Sequence, residues 1–261
     1  MDQAALSSEE YARQEELETP ALRFSGVYKA YGGRPVLRGV DLEVRAGEIF
    51  GLVGVNGAGK TTLIKLLLGF QPLDGGRIAV FGEPHARHRT RRHLAFLPER
   101  FLPPHYLTGE DFLDHLARLY GVDPERQDRR RALRQVDLEE EALFRPVRKY
   151  SKGMAQKLGL LGCFLSRRPL LVLEEPMSGL DPRARARIKE SLRRLQAAGR
   201  TVFLTTHLLP DVAALCDRFA SLHRGRVLFA GSPEACRQRY GGGDLEEAYM
   251  AAIETARTCQ D

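Results

Sequence analysis

An α/β fold whose parallel sheet is covered on both faces is what this chain predicts, and three observations carry that expectation. Short apolar strands alternate with amphipathic helical stretches, the pattern of a parallel sheet buried under helices. The first strands instead alternate apolar and polar residues about a Gly32-Gly33 turn, so the chain begins antiparallel. Between about Leu102 and Leu165 helix signals follow one another without a strand, which marks an all-helical insert.

In chain order, the antiparallel pair runs over Ala21 to Tyr28 and Val36 to Val44. Glu48 to Val53 (EIFGLV) is a buried strand, followed by a glycine-rich turn and a helix over Thr61 to Phe70 (TTLIKLLLGF). In the insert, Thr108 supplies an N-cap for DFLDHLARLY, Asp123-Pro124 opens an arginine-rich helix, and Ser151 caps a third helix with Met154, Leu158 and Leu161 at helical spacing. Leu170 to Leu173 is the next strand. A helix follows from Asp181-Pro182 to near Gly199, then strands at Thr201 to Thr205 and Phe219 to Leu222. Ser232-Pro233 and Asp244 open two last helices around Gly241-Gly242-Gly243. The expected organisation is a flexible acidic tail over 1–20, a main domain over 21–240 with its helical insert at about 102–165, and a C-terminal helical extension over 241–261.

Composition narrows the class. The 261 residues suffice for one large or two small domains, and no internal repeat divides them. With 43% hydrophobic and 28% charged residues the chain has a globular composition. No apolar run approaches the roughly 20 residues that span a bilayer. The start, MDQAALSSEEYARQEELETP, lacks the apolar core of a secretory signal and the arginines of a transit peptide. Cys163, Cys216, Cys236 and Cys259 form no CxxC pair, which fits a reducing cytoplasm. A net charge of +6 suits anionic partners, yet the clusters His85 to His93 and Arg126 to Arg134 lack the aromatics of a single-strand binding platform and read as solvated surface. His85, His88 and His93 match no metal-ligand spacing.

The segment GVNGAGKT carries the first chemistry. Backbone N–H groups of Gly54, Val55, Asn56, Gly57, Ala58 and Gly59 can converge on phosphate oxygens, while Lys60 brings a cation to the terminal phosphates. Thr61 can bind Mg²⁺, and the helix N-terminus at Thr61 and Thr62 adds partial positive charge. Strand, loop and helix in that order predict a P-loop NTPase core. No NKxD-like segment points to GTP.

A second set of residues narrows the reading. Tyr150-Ser151-Lys152-Gly153-Met154 precedes the strand of PLLVLEEPMSGLDP, and the chain from about Tyr31 to the end of the Arg226 strand resembles the ATP-binding subunit of an ABC transporter. In LPER, YSKGM and LEEAYM it is similar to the ABC-2 type exporter branch. The fold this implies is the ABC ATPase architecture: a P-loop NTPase core with a parallel sheet, an N-terminal antiparallel β subdomain and an inserted α-helical subdomain. ATP and Mg²⁺ are the implied cofactors.

The resemblance also assigns roles. It implies that Ser151 and Gly153 contact the γ-phosphate held by an opposite subunit. A Ser-capped helix start beside a glycine is independently an anion site without a nucleotide of its own. Glu174 becomes the Mg²⁺-side carboxylate and Glu175 the group that orients or deprotonates the attacking water, both at a strand's C-terminal end. Glu99 joins the metal and senses the membrane partner, Tyr31 stacks on adenine, His207 reaches the γ-phosphate, and Asp181 communicates across a dimer as well as capping a helix. Glu174 stands where the family has Asp, Glu99 where most members have Gln, and Lys152 and Met154 depart from LSGGQ.

The implied partners are a second ATPase subunit, identical or paired, and an integral membrane permease, with the chain on the inner face of the cell membrane and no nucleic acid. Two other readings stay open: a soluble ABC-type ATPase acting on nucleic acid or ribosomes, and a nucleotide-gated binding subunit with weak hydrolysis.

Overall fold

Successive residues of a strand face opposite sides of its sheet, and here that alternation builds two separate cores on one central sheet. The computed structural model describes residues 19–258 except Pro124, so the tail expected over 1–20 falls almost wholly outside the described residues. Strands β1 (Leu22–Tyr31), β2 (Arg34–Val44), β4 (Gly75–Val80) and β5 (Glu83–Pro84) form an antiparallel sheet in the order β2-β1-β4-β5. The central sheet is β10-β9-β3-β8-β7-β6, made of β3 (Ile49–Val53), β6 (Leu94–Leu97), β7 (Leu170–Glu174), β8 (Thr201–Thr206), β9 (Arg218–His223) and β10 (Arg226–Gly231). Only β10 runs antiparallel to its neighbour.

One face of this sheet, with Ile49, Val53, Leu171, Leu173, Val202 and Leu204, packs on α2 (Gly109–Tyr120), α3 (Arg126–Val136), α4 (Lys152–Leu165) and α5 (Pro182–Ala197). The other face, with Phe50, Leu52, Leu170, Val172 and Phe203, packs on α1 (Lys60–Leu67) and the antiparallel sheet. Phe203 lies between the sheets, its ring centroid 6.2 Å from Phe24 and 6.2 Å from Phe50. The remaining α-helices among the described residues are α6 (Leu209–Leu215), α7 (Pro233–Tyr240) and α8 (Leu245–Thr258). No helix among the described residues is long and apolar enough to cross a membrane.

Helix starts follow the side chains that can satisfy free N–H groups. Thr108 and Asp111 form a reciprocal capping box on α2, Ser232 caps α7, and Asp244 Oδ1 accepts from the N–H groups of Glu246 and Glu247 at 2.8 and 2.9 Å. The Asp123-Pro124 start is corrected: α3 begins at Arg126, because extended Glu125 (φ −56°, ψ 153°) delays the first helical turn. Strands β4, β5 and β6 are additions to the sequence reading. LAFL in β6 lies between the basic run ending at His93 and the polar Pro98-Glu99-Arg100, and its pairing with β7 defines it. The solvated reading of His85 to His93 also needs amendment. His85 Nδ1 lies 3.1 Å from the Ile78 carbonyl and His93 lies 5.5 Å from the Phe81 ring, and burial lowers the pKa of both.

Because Phe203 ties both sheets, Phe203→Ala should cost about 3–5 kcal/mol. Leu102→Ala, at a position 87% exposed, should stay within about 0.5 kcal/mol. Urea unfolding midpoints of the two variants check the contrast.

Candidate functional site

The parallel strands end in register. Val53 pairs with Thr206 and Ser221, Glu174 with Thr205, and Leu97 with Leu173. The segments that leave these strand ends therefore meet at one edge: the phosphate loop after β3, Glu99 after β6, Glu175 after β7 and His207 after β8. Ligands bind at such carboxyl edges of parallel sheets. Here the edge opens into a cleft of about 400 Å³ lined by Val55 to Thr62, Glu99, Glu175 and His207, with Val36, Ser178 and Thr205 completing it.

Glycine is required in the loop for steric reasons. A Cβ on Gly54 would collide with the Leu222 carbonyl, and Gly59, at φ 113°, would meet Leu37 at 2.7 Å. The two-residue turn Arg224-Gly225, both at positive φ, braces the loop from outside. Gly225 donates its N–H to the Ala58 carbonyl at 3.1 Å and accepts from Arg38 N–H at 2.8 Å. Lys60 Nζ donates to the Gly54 carbonyl and, at 3.4 Å, to that of Val55. Burial lowers its pKa, opposed by the charges of Glu175 and Glu99.

The adjacent acids occupy different environments. Glu174 is buried, accepts from the Thr61 hydroxyl, and takes the Glu99 N–H at 3.4 Å. Burial raises its pKa above the ordinary value, the Thr61 and Glu99 hydrogen bonds lower it in part, and the Glu99 charge raises it further. This oxygen-rich set, Thr61 hydroxyl with the Glu174 and Glu99 carboxyls, suits a hard cation such as Mg²⁺. Glu175 sits in the left-handed region at φ 44°, a conformation costing about 1–2 kcal/mol for a residue with a side chain. Its N–H donates to the Thr205 carbonyl at 3.1 Å, and its Oε1 lies 2.9 Å from His207 Nδ1. An ionised carboxylate only accepts, so the donor in that pair is the imidazole N–H.

Six of the residues singled out in the sequence are not in the cleft lining: Gly54 and Glu174, which touch lining residues as described above, and Ser151, Gly153, Asp181 and Tyr31. Ser151 caps α4 by accepting from the Met154 N–H at 3.2 Å. A Cβ on Gly153 would stand 3.1 Å from the Gly179 carbonyl, so helix and loop approach closely there. Asp181 caps α5 through the Ala184 N–H at 2.9 Å, which holds its carboxyl below the ordinary value. Tyr31 ends β1, 41% exposed, with its hydroxyl bonded to Gln71. Val36, Ser178 and Thr205 escaped the sequence reading. Of these, only Ser178 had a signal, its place in SGLDP between the acids and the α5 cap.

A glycine-rich loop joining a central parallel strand to a helix, faced by acids from a nearby strand, defines the P-loop class of nucleotide-binding α/β proteins. The family profile described as ABC transporter matches residues 37–178. The chain belongs to the ABC transporter family, in its ATP-binding part. It is 37% identical over 246 residues to the Nod factor export ATP-binding protein I of Ralstonia nicotianae, covering 92% of this chain and 76% of that protein. An uncharacterized ABC transporter ATP-binding protein of Synechocystis is 39% identical over 200 residues, 75% of this chain. The chain spans only 56% of that relative's length. A solved ATP-binding subunit of an ABC transporter superposes with a TM-score of 0.82 at 33% identity, over 89% of this chain and 99% of that one.

The raised pKa of Glu174 has a stability consequence. The folded protein retains this proton to higher pH than the unfolded chain, so stability falls as pH rises above the unfolded carboxyl's value near 4.5. Glu174→Gln, without nucleotide or metal, should therefore raise the urea midpoint at about pH 7 and lose that advantage near about pH 4.

Proposed function

We propose that this chain binds and hydrolyses ATP with Mg²⁺ and, paired with a second ATPase subunit, drives an integral membrane permease from the inner face of the membrane. One observation carries the reading: the cleft is lined by a phosphate loop, a carboxylate–imidazole pair, the Thr61 hydroxyl and Glu99, with Glu174 bonded to Thr61 behind them, while the capped start of α4 lies outside its lining. An anion site detached from its own nucleotide cleft is of use to the nucleotide of a second subunit.

In this reading the loop N–H groups and Lys60 hold the phosphates, Thr61, Glu174 and Glu99 hold Mg²⁺, and Tyr31 turns from Gln71 to the base. Bound Mg²⁺ would neutralise charge on the phosphates. Glu175 orients the attacking water or takes its proton, and His207, anchored by Glu175, faces the terminal phosphate. Ser151 and Gly153 complete the partner's site, with Asp181 near the contact. Residues 21–240 form the ATPase domain, and the part of the insert next to Glu99 meets the permease. Leu102 and Tyr106, 87% and 72% exposed, offer it an apolar surface. Export is the favoured direction, supported by the Ralstonia relative's being named a Nod factor export protein.

A second reading, a nucleotide-gated subunit with little turnover, is favoured by Glu174, which stands where the family has Asp and is buried at the strand end. Turnover by the purified chain separates the two.

Lys60→Ala should weaken Mg-ATP binding by about 100-fold or more in a fluorescent-nucleotide titration. Unchanged affinity would remove the loop from the site. Glu175→Gln should cut hydrolysis by about 10²–10⁴-fold and accumulate a dimer with ATP in light scattering. A strictly monomeric variant under saturating ATP would speak against the shared site.

A further inference from the structure

Glu175 is the acid whose aim depends most on its backbone, and that backbone is left-handed at φ 44°. Such a conformation persists in a residue with a side chain only where its surroundings fix it. Its N–H is fixed by β8 through the Thr205 carbonyl at 3.1 Å and hydroxyl at 3.3 Å. Its carbonyl accepts locally from the Ser178 N–H at 2.9 Å. The remaining grip comes from another element. Gln156 on α4, only 3% exposed, directs its Nε2 to the carbonyls of Glu175 at 3.4 Å and Pro176 at 3.3 Å.

We propose that Gln156 is a positioning residue for Glu175: its buried carboxamide holds the left-handed turn that keeps the Glu175 carboxylate on His207. The hydrolytic consequence rests on the function proposed above. The positioning itself does not, because the Gln156 hydrogen bonds and the Glu175–His207 contact at 2.9 Å are all made within the chain.

Chemistry and position agree. Only an amide donor can serve two carbonyl oxygens at this depth without bringing a charge, so Gln suits the position where Lys or Glu does not. Gln156 also follows the Ser151 cap by five residues on the same helix, about 7.5 Å along its axis. A second contact reinforces the link: Lys152 Nζ donates to Ser178 Oγ at 3.3 Å, at the end of the same turn. The helix that starts with the detached anion site thus also holds the backbone of the acid in the cleft.

The test uses Gln156→Met, close in volume but without a donor, with Leu161→Ala as a control for destabilising the same helix. In nucleotide-free protein labelled with ¹⁵N-histidine, the His207 Nδ1 signal of Gln156→Met should move toward that of Glu175→Ala, while Leu161→Ala keeps the wild-type signal. With Mg-ATP, kcat should fall by about 10-fold or more at nearly unchanged KM. A wild-type His207 signal in Gln156→Met, or the same displacement in Leu161→Ala, would overturn the positioning role. Absence of turnover in the wild-type chain would count against the hydrolytic reading alone, since the spectroscopic comparison decides the role of Gln156 without it.

Discussion

Everything at the cleft depends on parallel strands that stop at the same level. Hydrogen-bonded register between β3, β8, β7 and β6 sets the heights of Val53, Thr206, Glu174 and Leu97, and the next residues of each segment converge from those points. The arrangement needs no long side chains to reach across space, because the backbone ladder has already brought the groups together. Register is in turn fixed by burial on both faces. A one-residue slip of β8 would carry Phe203 away from Phe24 and Phe50 and into the helical core.

Within that frame, burial divides the work between neighbouring acids. Glu174, turned into the sheet edge, meets a hydroxyl and an N–H. Glu175, one residue later, is turned by its left-handed backbone to the imidazole of His207. Two identical side chains thus acquire different partners through one backbone angle. Lys60, folded onto the loop carbonyls, is balanced by the charges of Glu175 and Glu99 across the cleft.

Much of this was legible in the residues, for physical reasons that differ by element. The phosphate loop could be read whole, since its glycines, cation and hydroxyl act within one short segment between a strand and a helix. Ser151, Asp181 and Asp244 could be read as caps because capping is local. LAFL and GGRIAV could not, because neighbouring glycines and basic residues hide their apolar positions, and what defines them is their pairing with β7 and β1. Thr205 at the cleft and Gln156 behind Glu175 were hidden for the same reason: each matters through a backbone group brought to it by the fold. The helix expected from Asp123-Pro124 begins instead at Arg126, because Glu125 stays extended.

The turn at Arg224-Gly225, bonded to Ala58 in the loop and to Arg38 in β2, gives the molecule a property in time as well as in space. During synthesis the residues of the phosphate loop leave the ribosome long before the hairpin that braces them. The loop's outer wall therefore cannot close until residue 225 of the 261 has emerged. A nascent fragment carries the nucleotide-binding letters without the finished cradle. The fold defers that site to a late, long-range contact, of the kind that makes folding slow.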